Sequence, residues 1–201
     1  MKGYDVATRR RGEELEAVIL EAAWAEIQEQ GYARLTIEGV AARARTGKQV
    51  LYRRWPNRVE LAVAAVRHTL GPLVPVTPDT GSLREDYLTV MRLMTVRARS
   101  YTRDLMYGLL AELPTLRGEF FTPMPAFVTE ILQNAVARGE ITHADLPTRV
   151  ANLPLDLIRY EGLRSTDWTV LTEVEVSEKF FAEILDDVFM PLVIALAGPK
   201  A

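Results

Sequence analysis

Between Arg34 and Arg58 the chain carries seven basic side chains, Arg34, Arg43, Arg45, Lys48, Arg53, Arg54 and Arg58, against one acid, Glu38. At that density guanidinium and ammonium groups neutralise phosphate, and Lys48, Arg53 and Arg54 could also reach the O6 and N7 edge of guanine. Gln49 stands among them with an amide that can pair bidentately with adenine, and Tyr52 offers a phenol to a phosphate oxygen. Gly47 lets the backbone come close to a ligand, while Thr36 and Arg58 open two expected helices, where amides and side chains can hold phosphate. Any one of these bases alone would read as a solvated surface charge. Seven against one point to nucleic acid.

Such residues need a scaffold, and the surrounding periodicity supplies one. Leu15, Val18, Ile19, Ala22, Ala23 and Ile27 recur at spacings of three and four, which predicts an apolar stripe on a helix stopped by Gly31. Glu13, Glu14 and Glu16 are expected near its positive N-terminal end. Thr36 should cap a short helix with Ile37, Val40 and Ala41 inward, ending near Ala44. Beyond the turn Arg45-Thr46-Gly47, a second short helix should run to Arg54 with Val50 and Leu51 inward. Pro56 breaks it, and Asn57 caps a fourth helix from Arg58 to about Leu70. Two short helices braced by a longer one form a trihelical unit whose second short helix fits a major groove about 12 Å wide. Arg9-Arg10-Arg11 reads either as an arm reaching phosphate or the minor groove, or as a solvated tail.

The stretch from Leu35 to Ala44, followed by Lys48 to Arg58, strongly resembles the DNA-binding region of TetR/AcrR-family regulators. Gly31-Tyr32, Thr36, Ala41, Tyr52, Trp55 and Arg58 fall in register, and the resemblance is specific over about residues 12–66. It implies a bacterial, cytoplasmic, ligand-responsive regulator, by family default a repressor. Such a protein binds a palindromic double-stranded DNA operator as a homodimer and is released by a small hydrophobic effector, whose identity the sequence does not give. One departure stands in the turn, where the family usually has Gly-Val-Ser or Gly-Thr-Gly. The turn wants a left-handed residue, which costs a non-glycine roughly 1 kcal/mol. Either the geometry shifts toward Gly47, or Arg45 tolerates the strain and places its guanidinium on the DNA backbone, the reading we favour. A helical interaction protein that has lost specific DNA binding is the alternative.

Charge is segregated along the chain. The whole carries 24 Lys and Arg against 27 Asp and Glu; residues 1–70 hold 12 and 9 of them, and residues 71–201 hold 12 and 18. A basic head on an acidic body suggests that only one part meets phosphate. The expected division is a helix-turn-helix domain with its N-terminal arm over residues 1–58 and a helical ligand-binding and dimerisation domain over 59–201. Prolines at 72, 75 and 78 mark a linker that no regular element crosses. The remainder reads as helices with no sustained period of two, so the fold class is all-α. On the last helix Phe181, Leu185, Val188, Phe189 and Leu192 belong to an apolar surface wider than one neighbour would cover. With Leu153, Leu157 and Tyr160 of the preceding helix they are the candidate dimer face, and Pro154 should kink that helix without ending it. Tyr87, Met91, Met94, Tyr107, Leu110, Phe121, Met124 and Phe127 are candidate walls for a hydrophobic effector, with Arg159 as a polar anchor.

Other classes find little support. There is no cysteine, which removes disulfides, thiolate metal sites and cysteine nucleophiles. No apolar run approaches the roughly 18 residues of a membrane span, and the charged N-terminus lacks the apolar stretch of a secretory signal. Glu140 and His143 match one Glu-x-x-His, but a di-iron bundle needs two, and His68 is the only other histidine. No P-loop, GxSxG, HExxH or Rossmann signature is present. The sequence therefore predicts no enzyme, no cofactor and no metal.

Overall fold

The computed structural model describes residues 4–112, 125–164 and 174–198. Every regular element among them is a helix. The chain forms two compact units, Met1–Pro72 with Tyr101–Phe120, and Leu73–Ser100 with Phe121–Ala201.

In the first unit, α1 (Tyr4–Gln30) is followed by a 3-10 turn (Tyr32–Arg34), α2 (Ile37–Arg43), α3 (Lys48–Tyr52) and α4 (Arg58–Leu70). The helix α6 (Arg103–Ala111) joins them from later in the chain. The ends are fixed by the side chains expected to cap them. The Thr36 hydroxyl accepts from the Gly39 amide at 3.0 Å, and Asn57 accepts from the Glu60 amide at 2.9 Å. Ile19, Ala23 and Ile27 of α1 are buried with Val40, Leu51, Leu61, Ala62 and Ala65 in one core, which Leu105 of α6 completes. The unit therefore extends past residue 58, because α4 packs along α1 with Leu61, Ala62 and Ala65 in that shared core. A close approach holds α6 in place. A side chain at Gly108 would put its Cβ 2.0 Å from the buried Tyr32 ring, so only glycine fits.

One expectation at α1 is corrected. The helix begins at Tyr4, so Glu13, Glu14 and Glu16 lie beyond the first turn, where the helix dipole is felt. Residues 9–11 are part of α1 rather than of an arm.

The second unit comprises α5 (Leu83–Ala98), α7 (Ala126–Arg138), α8 (Thr148–Arg164), α9 (Val174–Ala182), a π-helical segment (Glu183–Phe189) and α10 (Met190–Ala197). Ser82 caps α5 through the Glu85 amide, and Gly139 closes α7 in the left-handed conformation. Helix α8 continues through Pro154. Tyr87 is fully buried, its ring 4.4 Å from that of Phe189 and its hydroxyl donating to the Ala151 carbonyl at 2.8 Å. Met91, Phe181, Leu185 and Phe189 are buried with it. Phe181, Leu185 and Phe189 are therefore core of the protomer and leave no exposed surface for a dimer face, and Tyr87 and Met91 are buried as well. Phe121 and Met124 lie outside the described residues.

Candidate nucleic-acid interface

The apolar positions of α2 and α3 set what the pair shows to solvent. Ile37, Val40, Ala41 and Leu51 are buried, so the opposite faces must be exposed. Between the helices the chain turns through a Schellman motif. The Arg45 amide donates to the Ala42 carbonyl at 3.1 Å and the Thr46 amide to the Ala41 carbonyl at 2.9 Å. That pattern requires a left-handed residue at its centre, and Arg45 supplies it with φ of +52°, alone among the described non-glycine residues. Gly47 has φ of −79° and caps α3 from extended backbone. The turn thus keeps its form at Arg45 and does not shift to Gly47.

A Cβ in the left-handed region costs about 1–2 kcal/mol. Arg45→Gly is accordingly expected to stabilise the protein by about 1 kcal/mol, less a little for the freer unfolded chain. Urea denaturation of the two forms would check this; equal midpoints would mean that the turn carries no strain.

Residues 48, 49, 52 and 53 share the outer face of α3, one turn apart in two pairs. Lys48, Gln49, Tyr52 and Arg53 are all exposed, and Arg45 and Gly47 lie exposed beside them in the turn. Thr46 is half-buried there. Arg45, Gln49 and Arg53 have no side-chain partner among the described residues. Lys48 and Tyr52 instead share Glu38. The Tyr52 hydroxyl donates to a Glu38 carboxylate oxygen at 3.2 Å, and the Lys48 ammonium lies 3.9 Å from the same oxygen. Partial desolvation, then this hydrogen bond, raises the Tyr52 phenol above its ordinary value, so it stays a neutral donor.

Three further bases of the cluster, Arg43, Arg54 and Arg58, are braces. Arg43 reaches back to α1, donating to Glu26 at 3.2 Å and to Glu29 at 2.7 Å, and this bond holds the Glu29 carboxyl below its usual range. Arg54 pairs with Glu16 of α1. Arg58 pairs with Glu112, donates to the Ala33 carbonyl at 3.3 Å and lies 5.1 Å from the centre of the Tyr32 ring. Burial, then the charge of Glu112, pushes the Tyr32 phenol well up. Asp104 of α6 adds a bond from the Ala33 amide at 3.1 Å. Arg58 is thus tied within the unit to an acid just past the end of α6, with its side chain 39% exposed. Thr36 is exposed, and its hydroxyl oxygen accepts the capping bond from the Gly39 amide. Of the nine sequence candidates, the structure brings Arg45, Gly47, Lys48, Gln49, Tyr52 and Arg53 to one exposed surface, with Thr46 at its edge. Sequence reasoning missed Glu112 and Asp104; nothing in their spacing points to partners some 50 to 70 residues away.

Other candidates are scattered. In the second unit Met94 and Phe127 are half-buried, and Arg159 is exposed and paired with Asp156 at 2.7 Å. Tyr107 is exposed on α6 of the first unit, where Leu110 is also a position. Leu153 and Leu157 are half-buried on α8, and Tyr160, Val188 and Leu192 are exposed.

The arrangement matches a known family over most of the chain. Residues 19–65 match the family described as bacterial regulatory proteins, tetR family, and residues 77–188 match the tetracyclin repressor-like C-terminal domain. The chain belongs to the TetR family. An uncharacterised HTH-type transcriptional regulator of Mycobacterium bovis is 32% identical over 179 residues, covering 86% of this chain and 84% of that protein. The DNA-binding transcriptional repressor TetR of Mycobacteroides abscessus is 30% identical over 137 residues, 65% of this chain and 72% of that one. A solved structure described as the molecular basis for control of antibiotic production by bacterial hormones shares the fold. It has a TM-score of 0.53 and 17% identity and covers 92% of this chain and 98% of its own. This TetR-family chain is a transcriptional regulator and not an enzyme. No described helix is long and apolar enough to cross a membrane.

Proposed function

We propose that this TetR-family regulator is a cytoplasmic repressor that binds a palindromic operator as a homodimer and leaves it when a small hydrophobic effector binds. The observation that carries the reading is the outer face of α3 with its turn, where Arg45, Lys48, Gln49, Tyr52 and Arg53 are exposed together over a buried Leu51. A rigid helix carrying bases, an amide and a phenol is what major-groove reading needs. Arg45 keeps the turn in the form glycine would give, which argues against a chain that lost DNA binding through it.

Dimerisation is supported by a narrower face than the sequence suggested. Val188, Leu192 and Leu196 recur every fourth residue and are 40%, 39% and 46% exposed, and Tyr160 of α8 is 61% exposed. Apolar residues left bare in a stripe fit a second copy of the same surface. For release, α4 is the proposed lever. Its first residue, Arg58, is tied to Glu112 just past α6, and the first-unit segment Tyr101–Phe120 that carries α6 falls in sequence between the two stretches of the second unit. Effector binding there would act on α4 through α6, and a coupling of about 1–3 kcal/mol is enough for a switch.

The test is selection of genomic fragments by the purified protein, then affinity at two salt concentrations. Recovery of one palindromic site is expected, with binding weakened about 10³- to 10⁵-fold between 50 and 200 mM salt if six to ten phosphates are contacted. Weak binding without sequence preference would overturn the reading.

A further inference from the structure

Glu38 is the one acid within the basic segment, and it stands on the DNA-facing side. It is 56% exposed on the first turn of α2, and one of its carboxylate oxygens accepts the Tyr52 hydroxyl and lies 3.9 Å from the Lys48 ammonium. These are two of the side chains on the outer face of α3. The Tyr52 hydroxyl has a single proton, so to donate to a phosphate it must give up Glu38, and a phosphate on Lys48 would lie close to the same carboxylate. The carboxylate then faces the phosphate with a charge of the same sign.

We propose that Glu38 is a built-in competitor of the DNA backbone, holding Tyr52 and Lys48 in the free protein and lowering affinity for all duplex DNA. The inference rests on the DNA-binding reading and deepens it. Its physical use follows from numbers. Phosphate contacts carry no sequence information, and a genome offers about 10⁶–10⁹ non-specific sites. A carboxylate that weakens the backbone contacts of Tyr52 and Lys48 alike on every duplex frees the protein from those sites without altering base discrimination. Arg45, Gln49 and Arg53 are not so held among the described residues, so base reading by Gln49 is untouched.

Glu38 also has a structural role, because an acid on the first turn of a helix favours its dipole. The two roles predict opposite signs. Glu38→Gln and Glu38→Ala should lower the melting temperature slightly while tightening DNA binding. One unit charge at about 4 Å in water corresponds to about 1 kcal/mol, so the dissociation constant should fall about fivefold. Fluorescence anisotropy on the selected operator duplex and on a scrambled duplex should show the same gain on both. The salt dependence should steepen by roughly one phosphate equivalent. Tyr52→Phe adds an internal check. It should weaken binding more in the Glu38→Ala protein than in the wild type, where the hydroxyl must first leave Glu38. Unchanged or weaker binding by both Glu38 variants, or equal losses from Tyr52→Phe in the two backgrounds, would overturn the role given to Glu38. Wild-type protein that binds neither duplex would overturn the DNA-binding reading itself, and the inference with it.

Discussion

Replacing Asp86 with alanine is expected to destabilise the protein by about 3–5 kcal/mol, because a buried ion pair would lose one partner. Asp86 has no exposed surface. Its carboxylate takes Arg138 at 2.8 Å, the Thr80 amide at 2.7 Å and the Thr80 hydroxyl at 2.8 Å. Arg138 pairs further with Glu140 at 2.7 Å and with Asp79, and Glu140 accepts from the Leu83 amide at 2.8 Å. The network ties the segment before α5 to the end of α7. Glu140 and Asp79 would still compensate Arg138, so the loss should fall toward the lower end of that range. The Thr80 amide and hydroxyl would each lose a partner. Asp86→Asn should cost less than Asp86→Ala, since an amide oxygen can still accept from Thr80. Urea denaturation of the three forms checks the order. A loss below about 1 kcal/mol for Asp86→Ala, the range of exposed pairs, would mean that water reaches the network.

How far the sequence reaches is clear at particular residues. Thr36, Asn57 and Ser82 cap their helices because a short oxygen three residues before an amide is a local arrangement, readable without the fold. The left-handed turn between α2 and α3 is equally local, and sequence left open only whether Arg45 or Gly47 would hold it. Tertiary partners are another matter. Arg54 and Arg58 look like free bases in the sequence, yet Glu16 and Glu112 claim them, 38 and 54 residues away. Periodicity tells which way a side chain points but not what stands opposite. The N-terminal third of α1, residues 4–12, is not legible because it carries charge and no apolar stripe. In the last helix, Phe181, Leu185, Val188, Phe189 and Leu192 look alike in sequence. The π-helical segment Glu183–Phe189 changes the helical phase between them, so a constant period of 3.6 cannot sort core from outer face.

On the outer face of α3, Gln49→Ala and Arg53→Ala should weaken operator binding in different ways. Gln49 is exposed on the first turn of a helix whose N-terminal residues meet base edges in this kind of docking. Its amide makes two bonds to adenine or none, so removing it should cost about 1–3 kcal/mol on the operator. Binding to a scrambled duplex should hardly change, and the salt dependence should stay the same. Arg53 lies one turn later, at the C-terminal cap of α3, and its guanidinium, free among the described residues, suits a phosphate. Arg53→Ala should weaken both duplexes by a similar factor and reduce the salt slope by about one. Anisotropy titrations on the two duplexes at two salt concentrations separate the cases. Should Arg53→Ala spare the scrambled duplex while Gln49→Ala weakens both, the roles are exchanged and α3 lies in the groove in a different register. The register has a physical basis in the fold. Leu51, with the half-buried Val50 beside it, fixes the rotation of α3 against the core, and a five-residue helix has no second apolar side on which to turn. Residues 49 and 53 are therefore turned outward by residues 50 and 51, and the side chains outside can be exchanged without moving the helix that presents them.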